Sequence, residues 1–559
     1  MPPMFSRCIG VILAGALSMA LAGGCKKKPA DSESAVREDT SVVRVHWAGK
    51  KRVSTQKDAA YLMSIWNLPE AKTVESEALD KLSLAPWSIR EGWRTNSLSS
   101  TNATSLLLRS LAEDLLQEES YLEIQQPSTN RGPELVLALK LSEAQSRAWQ
   151  TSLATALTSL TGSAINSNTP SPGAWLLRKH DYPNLVQFVR AGGWTLVGLA
   201  ADTNALLVDF QARIQKNNIP FAEPKTNYWL ELDLDLAKLN QLGVVGLPRV
   251  ANLPRVAMTL IGEGDYVRTR GQFKFAKAPE LVLSDWVIPT NLVREPFVSF
   301  TAVRGFQPFL SKAQWLKDLG VQPTPNQAFF WALGLSPVHF YSATPMPGAS
   351  NLLAKLGPEM PAKVNPLLID YARGTLEYVT NRNALLWSPM PFVTPVIESV
   401  EDAGREFLLG RLSPPLVLAS NTAPAEMYSR LVSNTNLVYY DWELTEQRLM
   451  GWILLGQSAR LVFWRPQIPR TDSVLSFLTA ASTKLGNTVT EIVRTTPDTF
   501  SFARKSHIGF SGFELQLVAE WLSSPQFPRG LHVEIAPKIP KPATTNQGPP
   551  TITNPAPPK

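Results

Sequence analysis

An α+β fold made of two similarly built halves, each mixing helices with antiparallel sheet, is what this sequence predicts. Three observations carry that expectation. Stretches with a two-residue hydrophobic period alternate with stretches of helical period. A strand followed closely by a helix recurs in both halves of the chain. Periodicity lapses over residues 276–296, "AKAPELVLSDWVIPTNLVREP", which carry three prolines and set a domain boundary between 42–285 and 286–535.

Taken in order, "SVVRVHW" (41–47) and "PELVLALKL" (133–141) read as strands. "SLLLRSLAEDLLQEES" (105–120) reads as a helix with Leu108, Leu111 and Leu115 on one face and Glu113, Asp114 and Glu118 turned towards water. "EAQSRAWQTSLATALTSLT" (143–161) repeats that pattern directly after a strand. Strand then helix follows at 193–215, 297–320 and 414–432. Residues 343–366, rich in Pro and Gly, predict a loop around one helix. "YYDWELTEQRLMGWILLGQSARLVFW" (439–464) stays apolar throughout and predicts a strand pair with Trp452 inside. "HIGFSGF" (507–513) alternates as a strand does. No fixed short period recurs, which argues against a solenoid or propeller.

The sharpest alternation is "YWLELDLDLAKL" (228–239), with Glu231, Asp233 and Asp235 on one side and Leu230, Leu232, Leu234 and Leu236 on the other. "DYVRTRGQFKF" (265–275) sets Arg268, Arg270, Gln272 and Lys274 on one face. Pairing these strands would lay a basic ladder on an acidic one, each cross-strand pair contributing about 0.2 to 1 kcal/mol. A Ca²⁺ site on the acidic ladder lacks the 12-residue loop and turn glycine of an EF-hand.

Both ends differ from this body. Arg7 precedes an apolar run, Ile9 to Ala22, that is too short to span a bilayer and is followed by Lys26, Lys27 and Lys28. Leu21-Ala22-Gly23-Gly24-Cys25 resembles the lipobox of bacterial lipoprotein signal peptides, although Leu stands four places before the cysteine and Ala22 takes the usual Leu position. The resemblance implies removal of residues 1–24 and lipidation of Cys25. Ala20-Leu21-Ala22 offers a competing small-x-small site with cleavage before Gly23. Residues 25–41 are expected to be a disordered tether after the lipidated cysteine, and 536–559 a disordered Pro-rich tail.

The two cysteines are Cys8 and Cys25, so the body beyond them holds no thiol for disulfide, metal or nucleophile. A net charge of +7 is mild for 559 residues, and its basic residues are scattered, which argues against a nucleic-acid partner. His46, His180, His339, His507 and His532 show no metal-ligand spacing, and no G-x-S-x-G, S-x-x-K, Walker or G-x-G-x-x-G motif is present. No catalytic residue, metal ligand or cofactor is therefore assigned. Sixteen tryptophans leave room for a binding platform, with Tyr439 and Trp442 as the candidate ligand-binding aromatics.

These readings predict an envelope protein anchored to a bacterial membrane through Cys25, its body in the periplasm or otherwise outside the cytoplasm. Binding or assembly with an envelope protein or glycan partner is the favoured role. An envelope hydrolase with spatially assembled carboxylates and a structural spacer between membrane and wall are the alternatives.

Overall fold

The structure, a computed structural model, describes residues 40–90, 103–126, 132–166, 174–179, 182–201, 203–221, 227–242, 252–334, 339–368, 374–388, 394–412, 423, 425–462, 472–524 and 527–528. Mixed helix and antiparallel sheet make up this region, an α+β fold.

Among the described residues nine strands precede residue 275: β1 (Ser41–Trp47), β2 (Ser120–Gln125), β3 (Glu134–Lys140), β4 (Trp175–Lys179), β5 (Tyr182–Ala191), β6 (Trp194–Ala200), β7 (Leu230–Asp235), β8 (Arg255–Glu263) and β9 (Tyr266–Lys274). They pair antiparallel in the order β4-β5-β6-β3-β2-β1-β7-β8-β9. Ten more follow: β10 (Phe297–Arg304), β11 (Gln327–Leu333), β12 (Phe340–Pro345), β13 (Thr375–Val379), β14 (Ala384–Ser388), β15 (Val396–Asp402), β16 (Arg405–Arg411), β17 (Leu437–Leu444), β18 (Asn487–Thr496) and β19 (Thr499–Ser506). Their order is β13-β14-β15-β16-β12-β11-β10-β17-β18-β19. Strand β9 joins β19 antiparallel with Arg270 opposite Ala503, so one 19-stranded sheet runs through the molecule.

Register decides which side chains share a face. Leu232, Met258, Gly271, Phe502, Ile492 and Tyr439 form one row across the middle of the sheet. On that first face, helices Lys50–Ser54, Ala60–Trp66, Ala103–Gln117 and Glu143–Thr161 cover β1, β2 and β7, burying Val45, Leu122, Leu232 and Trp149. On the second face, helix Ala205–Asn217 packs on Tyr121, Val136 and Leu196 through Phe210. Helix Ala425–Ser433 and the irregular stretch around Val293 close over Phe300, Phe329, Trp331 and Phe407 on the same side. A third cluster joins an early segment to late ones: Val74 of helix Pro69–Arg90 packs with Leu449, Ile453, Val474, Leu478 and Leu515.

Local chemistry explains the best-defined elements. Helix Glu143–Thr161 starts at Ser142, whose Oγ accepts from the Gln145 N–H in a capping box, and stops at Gly162 with φ 68°. That left-handed conformation favours glycine because it lacks a Cβ.

Several expectations are corrected. The acidic ladder of β7 does not pair with the basic ladder of β9, because the tight hairpin at Gly264 (φ 63°) pins β8 against β9 and β7 pairs with β1 and β8. Asp233 instead takes a bidentate contact from Arg255 (2.7 Å to each oxygen), and Asp235 caps helix Leu236–Gln241. Residues 439–464 are not a strand pair: the strand ends at Leu444 and helix Thr445–Val462 begins, burying Leu449 and Ile453 one turn apart. Trp452 is half-buried, under the Arg448 guanidinium at 4.1 Å. Residues 507–511 turn, and Ser511 caps helix Gly512–Ser523, so no strand forms there. Two helices, Ala349–Leu356 and Met360–Leu368, occupy the stretch expected to hold one. Asp114 faces protein, not water, accepting from Trp149 Nε1 (2.9 Å) and Gln145 Nε2 (2.9 Å).

Candidate functional site

Strand β17, "LVYYDWEL", presents two different chemistries on its two faces, because successive side chains point to opposite sides. Tyr440 and Trp442 share the second face. Tyr439, Asp441 and Glu443 share the first.

On the second face, a pocket of about 640 Å³ opens between β17, the start of β10 and helix Ala425–Ser433. Its apolar wall is Phe297, Tyr440, Trp442 and Met427. Phe297 and Trp442 meet edge to face, ring centroids 5.4 Å apart at 70°, an arrangement that holds both rings in place. Three charged side chains also line it: Glu295, Glu426 and Arg430. Arg430 Nε lies 3.1 Å from Glu491 Oε1 on neighbouring β18, so that guanidinium has a carboxylate partner. Among the described residues neither Glu295 nor Glu426 forms an ion pair. Burial, followed by the nearby Glu491 charge, pushes the Tyr440 phenol up to about 12, which keeps it neutral at physiological pH.

On the first face lies a buried charged cluster. Thr301 Oγ1 donates to Asp441 Oδ1 (2.6 Å), and the Gly512 N–H donates to Glu443 Oε1 (2.6 Å). Arg504 forks onto Glu514 through Nη1 (2.5 Å) and Nη2 (2.9 Å), and also donates to Thr490 Oγ1 (2.9 Å) and Gly509 O (3.1 Å). Glu443 is 4 % exposed, and burial, then the neighbouring Asp441 charge, raise its pKa to about 7 against the Gly512 hydrogen bond. Asp441 is also raised, burial outweighing the Thr301 hydrogen bond and the two arginines. For Arg504, burial opposes the charge but the Glu514 contacts more than offset it, leaving the pKa raised. In Arg448 burial wins over the attraction of Glu443 and Asp441, and the pKa falls.

The two aromatics named from sequence are thus separated: Trp442 lines the pocket, whereas Tyr439 lies on the opposite face near Asp441 and Arg504. Cys25, the signal segment, residues 26–39 of the tether and the 536–559 tail lie outside the described residues; at the other end of the expected tether, Ser41 is buried and begins β1. Sequence reading missed the alternate charges of "YYDWEL", Asp441 and Glu443, although charges at every second position inside an apolar strand are a signal for it. Phe297, Glu295 and Glu426 reach the pocket from remote segments, and no spacing links them to Trp442. Among the described residues no group of three or more His, Cys, Asp or Glu side chains could hold a metal ion. Also among them, no helix is long and apolar enough to cross a membrane. No protein-family profile matches the chain, and no curated protein or solved structure is similar to it.

Proposed function

We propose that this protein is a lipid-anchored component of a bacterial cell envelope that binds a ligand without transforming it, its body held outside the cytoplasm by Cys25. The observation that carries the binding role is the pocket walled by Trp442, Tyr440 and Phe297, since clustered aromatics beside a few polar groups are the usual make-up of a ligand site. The lipobox-like Leu21 to Cys25 supports the anchor. An envelope partner or glycan reaches such a pocket from the same compartment.

The reading includes two similarly built halves, 42–285 and 286–535. In its support, β10, β11, β12, β16, β15 and β14 follow one another in the sheet as β1, β2, β3, β6, β5 and β4 do, and β17-β18-β19 flank β10 as β7-β8-β9 flank β1. At the matching step of that order the chemistry diverges. Leu232 and Leu234 of β7 face Val45 and Val43, whereas Asp441 and Glu443 of β17 face Thr301 and Ser299. A site specific to the second half fits that divergence.

Hydrolysis by the Asp441 and Glu443 pair is the less favoured reading. Glu443 is closed in by the Gly512 N–H and helix Gly512–Ser523, which leaves it no open approach for a substrate.

The experiment uses protein purified from its native host, with Trp442→Ala as the comparison. The N-terminal peptide is expected to begin at an acylated Cys25, and a metabolite screen by thermal shift is expected to yield compounds that stabilise the wild type and not the variant. An unmodified start at Gly23 overturns the anchor. Compounds that stabilise both proteins equally, or none that stabilise the wild type, overturn the pocket.

A further inference from the structure

We infer that the pocket on β17 takes an organic cation: a ligand with an ammonium nitrogen carried on an apolar or planar body. The inference rests on the pocket being the binding site and adds the chemistry that it selects.

Three features of the lining lead there. The apolar wall of Trp442, Tyr440, Phe297 and Met427 suits an uncharged body, and the faces of aromatic rings attract a cation through the ring quadrupole, most strongly for Trp. Glu295 and Glu426 sit on opposite sides of this wall in the chain, one just before β10 and one in helix Ala425–Ser433, and both line the cavity with no cationic partner among the described residues. Among the described lining residues Arg430 is the one cation, and Glu491 holds it at 3.1 Å. Among the described residues the pocket therefore presents two carboxylates without an ion-pair partner and one guanidinium that has one. An incoming ammonium gains charge-assisted hydrogen bonds and ring contacts, whereas an incoming carboxylate meets two like charges and must compete with Glu491 for the arginine.

Recognition also fits the way the wall is held. Phe297 and Trp442 brace each other edge to face, and Tyr440 pairs in register with Ala302 of β10 and Glu491 of β18, so the floor is part of the sheet. A ligand meets a largely pre-formed surface and orders few side chains on binding.

Three probes that differ only in the head group test this: 3-phenylpropylammonium, 3-phenylpropanol and 3-phenylpropanoate, titrated at pH 7 into the purified full chain and followed by saturation-transfer difference NMR. The ammonium is expected to bind saturably and about tenfold or more tighter than the alcohol, with the carboxylate weakest. Glu295→Gln with Glu426→Gln is expected to bring the ammonium to the affinity of the alcohol, and Trp442→Ala to weaken both, with circular dichroism showing that each variant is folded. If the alcohol or the carboxylate binds as tightly as the ammonium, or if the double glutamine variant keeps the ammonium preference, the cation inference fails while the pocket stands. If none of the three binds, the pocket reading fails with it.

Discussion

Glu443 is a carboxyl placed where its charged form costs folding free energy, so replacing it with glutamine isolates that cost. Its pKa in the folded protein is raised to about 7, first by burial and then by Asp441. An acid whose folded pKa exceeds its unfolded value is protonated preferentially in the folded state. Stability is therefore greatest below the ordinary glutamate range, falls as pH rises through about 7, and is level above it. The expected loss across this window is on the order of 3 kcal/mol. Asp441, raised for the same reason, adds to it in the same direction. Glu443→Gln keeps an oxygen for the Gly512 N–H and removes the titration, so urea unfolding from pH 4 to 8 should show a shallower decline than the wild type. An equal decline in both proteins would place the pH dependence elsewhere. At this scale the sequence displayed the alternation of "YYDWEL" but not its sign of burial, because alternation says which side chains share a face and not what covers that face.

Helices and strands with a complete period and a clear end were legible. Helix Glu143–Thr161 has both the Ser142 to Gln145 capping box and the Gly162 stop, and its predicted span agrees with the structure. Ser142→Ala removes the side-chain acceptor for the Gln145 N–H and should lower stability by about 1 kcal/mol. Measured by chemical denaturation, a variant within a few tenths of a kcal/mol of wild type would show the cap to be dispensable. Elements without such a signature misled. Helix Thr445–Val462 buries Arg448 beside Leu449 and Ile453 and leaves Leu454 exposed, so its polar and apolar positions do not separate into the stripe that marks a helix lying on a surface. Strand β8, "RVAMTLIGE", has a broken alternation, with Val256 buried and Ala257 exposed but the next residues all intermediate. Missing it is what allowed the acidic and basic ladders to be paired with each other.

Across the whole molecule, two features tie the strands before residue 275 to those after 296: the β9–β19 pairing, and helix Pro69–Arg90 packed among the helices that follow β17. Tyr61 Oη donates to Lys484 O (2.7 Å), Lys81 Nζ to Leu522 O (2.7 Å) and Ser473 Oγ to Glu77 Oε2 (3.0 Å) across the same junction. The expected consequence is one cooperative unit. Leu449→Ala, at the centre of the junction and fully buried, should cost about 2 to 5 kcal/mol while tryptophan fluorescence and far-UV circular dichroism still unfold together. Two separated transitions in the wild type would show that the halves fold independently and that the junction contributes little.

What the sequence by itself determined is local: element types where hydrophobic period and caps agree, the α+β class, and the contrast of composition between the body and its two ends. Such properties depend on residues within a few positions of one another. The tertiary structure alone decided that β8 separates the acidic from the basic ladder, that Glu443 is buried while Asp441 and Trp442 are partly covered on opposite faces, and that Glu295, Phe297 and Glu426 converge on one pocket. Those outcomes depend on which strands become neighbours: β7, β8 and β9 pair in sequence order, whereas the pocket and the charged cluster on β17 bring together residues as remote as Phe297 and Trp442, or Thr301 and Asp441. No short window of sequence carries that information.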